Sequence, residues 1–376
     1  MRLLLLADVH AGAALAEWGD RSDARRREID AALKDAVDEA LNPKEGAHAV
    51  LIAGDLFDRP DPSEETVGFA WEQLGRLGKA GIPVVIVPGY FDSLGPGSVY
   101  TRDDIPPSIT VVDWAELRRV EVTTAAGPLQ VYSFTWIPGL TPENPWAGFV
   151  RDQEVAGPHV GLFHADLRVE GDPAASTPAP ALDSKTLETC GVDLVHLGRA
   201  HEYGEFEIGD TNAVYPGTPV GLGYGEWGDR FLVTAEFTKR GLKIRTRVRS
   251  SSPVLSEDIH LTAGLTEPDV AALIRTRCEE AAMVRVHLRG EVAHSLDPAA
   301  IIAALGPGAP VVDLVDETDL VLTPPGGGDE AIRVLFEQRM QSRINEADDP
   351  EERDVIRRAL RIGVEYFWSQ ETGHAR

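Results

Sequence analysis

Short apolar runs recur along the first half of the chain, and each ends on polar or glycine-bearing residues. Residues 3–6 lead into Asp8-Val9-His10, residues 49–53 into Gly54-Asp55, and residues 84–87 into Gly89-Tyr90-Phe91-Asp92. Residues 160–163 lead into His164, and residues 194–197 into Gly198-Arg199-Ala200-His201. Runs this short, separated by helical periodicity, predict buried strands of an α/β domain. Between the first two, residues 22–41 set Ile29, Leu33, Ala36, Val37, Ala40 and Leu41 on one helical face. Residues 66–79 predict a second helix before the third strand. Ligands of such folds collect at the carboxyl ends of the strands. The carboxylates and imidazoles that converge there suit a divalent cation such as manganese, zinc or iron.

Farther along, residues 239–249 alternate with period two. Lys243, Arg245, Arg247 and Arg249 share one face of the expected strand, and Leu242, Ile244 and Val248 the other. The basic face is either a contact for DNA or an acidic partner, or the solvated outside of an antiparallel strand. Arg25-Arg26-Arg27 reads as solvated, and residues 171–180, rich in Ala and Pro, as an inserted loop. Ser250-Ser251-Ser252-Pro253 marks a boundary. It divides a first domain, 1–250, from a second, 251–322, in which strands alternate with helices at 269–280 and 297–304. Thr323-Pro324-Pro325-Gly326-Gly327-Gly328 is a linker opening a third segment, 323–376, of two helices. The first carries Ile332, Leu335, Phe336, Met340 and Ile344 at helical spacing. The second starts with Asp349 as N-cap and Pro350 at its first position, with Glu352 as a capping-box partner. Its stripe of Ile356, Ala359, Leu360, Gly363, Val364 and Phe367 either packs within the chain or docks on a partner.

Composition bounds the reading. The 376 residues, 43% of them hydrophobic, are enough for two or three domains with cores of their own. The two cysteines, Cys190 and Cys278, fall in different expected domains and make no disulfide framework, which fits a reducing cytoplasm. Residues 3–6 are too short for a signal-peptide core, and no apolar stretch reaches membrane-spanning length. A net charge of −25 repels phosphate at long range without forbidding a local basic patch.

The order of the motifs resembles that of the calcineurin-like metallophosphoesterases, whose pattern runs D-x-H, G-D, G-N-H-D, H and G-H-x-H. Their surroundings resemble the SbcD nucleases, bacterial relatives of the nuclease subunit of the double-strand-break repair complex. The resemblance is carried by Gly54-Asp55-Leu56-Phe57-Asp58-Arg59 with Pro62-Ser63, and by Tyr215-Pro216-Gly217-Thr218-Pro219 with Gly225-Glu226. Val284-Arg285-Val286-His287-Leu288-Arg289-Gly290-Glu291 is similar to a strand of that family's capping domain. The resemblance implies a sandwich of two β-sheets flanked by helices, a small α+β capping domain and C-terminal helices. It implies that Asp8, His10, Asp55 and His201 hold one metal, with Asp55 bridging to a second. That second site would need an asparagine, His164 and another histidine, and here Tyr90 and Arg199 stand in two of those places. The proton-transferring histidine is Phe91, while its aspartate companion remains as Asp92. The family also implies a homodimer and an SMC-like ATPase partner of the SbcC type, engaged through C-terminal helices such as the one carrying Ile356, Leu360, Val364 and Phe367.

The departures point one way. Arg199 has no lone pair for a metal, and Phe91 can neither give nor take a proton. Tyr90 would bind a metal only as phenolate. His164 is left between ligand and satisfied polar group, and Asp92 reads as a loop cap. His196, three positions before Arg199, is aimed elsewhere by strand alternation, and the remaining histidines read as structural. The expectation is about one divalent ion per chain, manganese above others. Two function classes follow: a DNA phosphodiesterase working through one metal at reduced rate, or an inactive scaffold that binds DNA ends or an ATPase.

Overall fold

The computed structural model describes residues 1–168, 180–249, 251–292, 294–320, 330–347 and 349–373. The linker expected at 323–328, nearly all of the inserted loop at 171–180, and the side chain of Phe367 lie outside the described residues. The chain divides into two compact units, Met1–Pro253 and Val254–Arg376.

The first unit opens with strand β1 (Arg2–Leu6), helix α1 (Ser22–Ala40), strand β2 (Ala49–Ala53), helix α2 (Glu64–Lys79) and strands β3 (Val84–Val87) and β4 (Ile109–Val111). Strands β5 (Arg118–Thr124), β6 (Gly127–Ser133), β7 (His159–His164), β8 (Asp166–Arg168) and β9 (Ala181–Asp183) follow. Then come α3 (Ser184–Cys190), β10 (Leu194–Gly198), β11 (Gly204–Ile208), β12 (Thr211–Tyr215), β13 (Arg230–Thr238) and β14 (Gly241–Arg249). One six-stranded sheet has the order β14-β13-β1-β2-β3-β4, and a second β11-β12-β10-β7-β6-β5. The five apolar runs are thus central strands. β1, β2 and β3 are parallel neighbours in one sheet, and β7 and β10 in the other.

The sheets meet through Leu3, Leu5, Leu51 and Val85 on one side and Val131, Val160, Leu162, Leu194 and Val214 on the other, all buried. Leu4, Ile52 and Ile86, with opposite parity, are buried as well, which is why these strands read as unbroken apolar runs. Each such side chain contributes roughly 2 kcal/mol of burial. Period two carries His196 and Gly198 to the same side of β10 as Leu194, into the space between the sheets. There His196 is fully buried.

Arg25, expected in solvent, is buried. Its guanidinium donates to the Gly221 carbonyl from Nε and Nη2 and to the Ser252 carbonyl from Nη1, and lies 4.2 Å over the Trp18 ring. Trp18 Nε1 in turn donates to the Leu222 carbonyl at 2.7 Å. The basic face of β14 is paired in part. Arg245 pairs with Glu236 on β13, and Arg247 and Arg249 pair with Glu39 and Asp35 on α1. Three of its four cations are therefore neutralised within the unit, and Lys243 stands exposed beside them.

In the second unit, β15 (Val254–Leu261), α4 (Glu267–Arg277), β16 (Met283–Val292), α5 (Pro298–Leu305), β17 (Val311–Asp316) and β18 (Asp319–Leu320) form a parallel sheet with helices. Helices α6 (Glu330–Glu346) and α7 (Pro350–Gly373) make a hairpin. Its seam buries Ile344, Ala347, Ile356, Leu360 and Val364, with Phe336 and Met340 against them. Ile356, Leu360 and Val364, the expected partner-binding stripe, are therefore covered by the chain's own α6. Among the described residues, the exposed large apolar side chains of the hairpin are Ile332 and Leu335 on α6 and Val355, Ile362 and Tyr366 on α7. Among the described residues, no helix is long and apolar enough to cross a membrane.

Candidate metal centre

The motif residues meet where β1, β2, β7 and β10 end. The loops after β1 and β2 are joined by backbone hydrogen bonds from Asp8 to Gly54 and from His10 to Asp55, at 3.1 and 2.9 Å. Two glycines permit the close approach. A Cβ on Gly89 would overlap Asp55 Oδ1 and lie 2.7 Å from its Cγ. One on Gly198 would overlap the Ala53 carbonyl oxygen and lie 3.0 Å from His164 Nδ1. Among the described residues, five non-glycine positions have positive φ, and four of them are Asp8 (50°), His10 (53°), Asp55 (48°) and Arg199 (102°). Left-handed backbone costs an ordinary residue about 1–2 kcal/mol, and such outliers gather at functional sites.

Two groups of donors result. Asp8, His10 and His201 form one, and Asp8, Asp55 and His164 the other, with the ligand atoms of each within 4.8 Å of one another. His10 Nε2 and His201 Nε2 face each other at 3.3 Å. Their other ring nitrogens are taken: His10 Nδ1 by Asp58 at 2.9 Å and His201 Nδ1 by Glu226 at 2.6 Å. A carboxylate on Nδ1 holds the proton there and turns the Nε2 lone pair inward, the usual way a metal-binding imidazole is oriented. His164 donates from Nδ1 to the Ala53 carbonyl at 3.0 Å, which leaves Nε2 3.3 Å from Asp55 Oδ2. Converging lone pairs of this kind repel unless a cation lies among them, so the donor set fits a metal ion.

Burial pushes the Asp8 carboxyl up to about 6, against the pull of His164 and His201. Burial works against charge on His10 too, yet the hydrogen bond to Asp58 and the nearby Asp55 and Asp8 leave it raised. His201 is raised in the same way, through Glu226 and Asp8. A cation would stabilise the charged form of the buried Asp8 carboxylate.

The departing residues take other places. The Arg199 guanidinium pairs with Asp166 at 2.7 Å, while its backbone N–H donates to both carboxylate oxygens of Asp8. Phe91 sets its ring edge-on to His10, 5.0 Å between centroids, and its backbone N–H donates to Asp55 Oδ1 at 2.7 Å. Tyr90 packs edge-on to Phe91 and is half exposed. Asp92, buried, accepts from Gly89 N–H, Phe57 N–H and the Tyr100 hydroxyl. It fastens the third loop to the second. Asp58 and Glu226 fall inside stretches quoted for their resemblance, yet nothing in their local pattern marks a role for them.

A family model for calcineurin-like phosphoesterases matches residues 1–203. The chain belongs to the calcineurin-like phosphoesterase family. That family uses divalent metals, in keeping with the donor set. The chain is 26% identical over 217 residues to the uncharacterized metallophosphoesterase YhaO of Bacillus subtilis, a match covering 54% of this chain and 47% of that protein. It is 40% identical over 92 residues to the DNA double-strand break repair protein Mre11 of Aeropyrum pernix, covering 24% of this chain and 21% of that one. A Mre11 of Sulfurisphaera tokodaii is 24% identical over 143 residues, covering 38% and 35%. The chain thus spans less than half the length of these relatives. Vps29 of Entamoeba histolytica, solved with zinc, aligns over 66% of this chain and 99% of its own at 13% identity. A TM-score of 0.29 is too low for it to add to the assignment.

Proposed function

We propose that the chain is a metal-dependent phosphodiesterase of the DNA-repair class, similar to Mre11 and SbcD, working slowly through about one divalent ion, manganese above others. The observation that carries this reading is the facing pair of His10 and His201 Nε2 atoms, each imidazole held from behind by a carboxylate. Asp8, His10, Asp55 and His201 would hold the ion. When bound, it polarises a phosphoryl oxygen and lowers the pKa of a bound water. Asp58 and Glu226 keep the two imidazoles in the ligating tautomer. The Arg199 amide fixes the Asp8 carboxylate, and the Phe91 amide fixes that of Asp55. At the place of the family's proton donor, the Phe91 ring can pass no proton to a leaving group, and that contribution is typically worth ~10²–10⁴ in rate.

The test has two arms. Purified protein loaded with manganese should retain about one ion, and Asp8→Ala, which removes a donor common to both groups, should empty the site. Linear duplex DNA should be cut poorly, and Tyr90→Asn, Phe91→His and Arg199→His together should raise cleavage. Two well-held ions, or rapid manganese-dependent cleavage by the wild type, would overturn the one-metal reading.

A second reading, an inactive scaffold, is favoured by Phe91 together with the hairpin's exposed Ile332, Leu335, Val355, Ile362 and Tyr366. An SbcC-type ATPase would then engage those residues rather than the buried stripe of α7. Pull-down of a coiled-coil ATPase by the wild type, lost on Ile362→Asp with Leu335→Asp, is the outcome that reading requires.

A further inference from the structure

We propose that Tyr90 and Phe91 form a stacking platform for one unstacked nucleobase beside the phosphodiester at the metal centre. This rests on the phosphodiesterase reading and adds the substrate's chemistry. The two rings are adjacent in the chain and 49% and 46% exposed, an unusual place for two large aromatics on a polar rim. Their centroids are 5.8 Å apart with the planes at 78°, so a base stacks on one ring and meets the edge of the other, and Phe91, 5.0 Å from the ring of His10, borders the ligands directly.

The platform is also held in place. The Phe91 N–H is bonded to Asp55 Oδ1, and the Gly89 N–H to the buried Asp92 carboxylate, which Phe57 N–H and the Tyr100 hydroxyl hold from the other side. Rings fixed through their backbone lose little freedom when a base stacks on them. A further exposed ring, Trp227 at 56%, directly follows Glu226, the residue that holds His201.

Charge selects the occupant. A net charge of −25 gives a polyanion no long-range attraction, and the cations of Arg245, Arg247 and Arg249 are paired with acids. Affinity must therefore come at short range, from the metal acting on one phosphodiester and from aromatic stacking, which any base can supply. Bases inside a duplex present no free face. A single-stranded end does.

The test uses the full chain in manganese, under conditions where gels show the strand intact. Fluorescence anisotropy would compare a labelled oligothymidylate with an abasic strand of equal length and the same phosphodiesters. The thymidine strand should bind at least about tenfold more tightly than the abasic one, the gain from stacking one base. Tyr90→Leu and Phe91→Leu together should remove that preference, with manganese retained because leucine keeps the amide that holds Asp55. Equal binding of both strands by the wild type would overturn the platform while sparing the phosphodiester reading. A preference that persists in the double leucine variant would overturn it too. Binding of neither strand would remove both readings together.

Discussion

Replacing His196 by leucine should make the protein resistant to acid. His196 lies fully buried between the sheets, in register with Leu162 of β7 and Val214 of β12. Neither ring nitrogen meets a partner at normal hydrogen-bond geometry among the described residues. Burial pushes the imidazole down to about 3, against a weak opposing influence from the Leu6 backbone. An unfolded chain has an ordinary histidine near 6.5. As pH falls through that value the unfolded state takes up a proton and the native state does not, so stability declines down to about pH 3. At about pH 5 the loss from this one residue amounts to about 2 kcal/mol. Leucine, similar in volume and without a proton to bind, abolishes it. Urea melts of both proteins at about pH 7.5 and about pH 5, in chelator, isolate the term, since other groups cancel in the difference. The wild type should lose about 2 kcal/mol more than the variant between the two conditions. An equal loss in both, or a larger one in the variant, would refute a neutral, buried His196.

Three further outcomes follow from packing. Gly198→Ala should cost about 1–3 kcal/mol in urea melts and weaken manganese binding, because its methyl drives the end of β10 away from the β2 end that carries Asp55. Arg25→Met should destabilise by about 3 kcal/mol, seen as a lower urea midpoint with unchanged slope, because the Gly221 and Ser252 carbonyls lose their donors. Leu360→Ala in the hairpin seam should open α6 and α7 to proteases, with an expected local cost of about 2–5 kcal/mol. A fragment near residues 1–253 should survive that digestion intact.

What could be read from the chain was what local periodicity and side-chain chemistry determine. A buried central strand is a short apolar run, and a metal ligand needs a lone pair at its end, so β1, β2, β3, β7 and β10 and their motif residues were visible. The pairs that set ring orientation were not. Asp58 lies 48 residues from His10 and Glu226 25 from His201, and only the fold brings each carboxylate to a ring nitrogen. Arg25 was misread for a related reason. Charged residues default to solvent, and its acceptor on Gly221 is 196 positions away. Ile356, Leu360 and Val364 of the α7 stripe are buried while Ala359 is exposed, and periodicity tells which side of a helix is apolar but not what covers it. Here the cover is α6.

The backbone at Asp8, His10, Asp55 and Arg199 carries a consequence for evolution under heat. At each, glycine would relax a left-handed conformation that an ordinary side chain strains, by about 1 kcal/mol, but glycine brings no donor atom. Thermostability and metal affinity therefore pull against each other at Asp8, His10 and Asp55, the general form of a stability–activity trade-off. The trade is limited, since glycine at Asp8 or Asp55 would also leave the Arg199 or Phe91 amide without its acceptor. At Arg199 the conflict is milder. Its backbone amide, rather than its side chain, holds Asp8, and glycine keeps that amide.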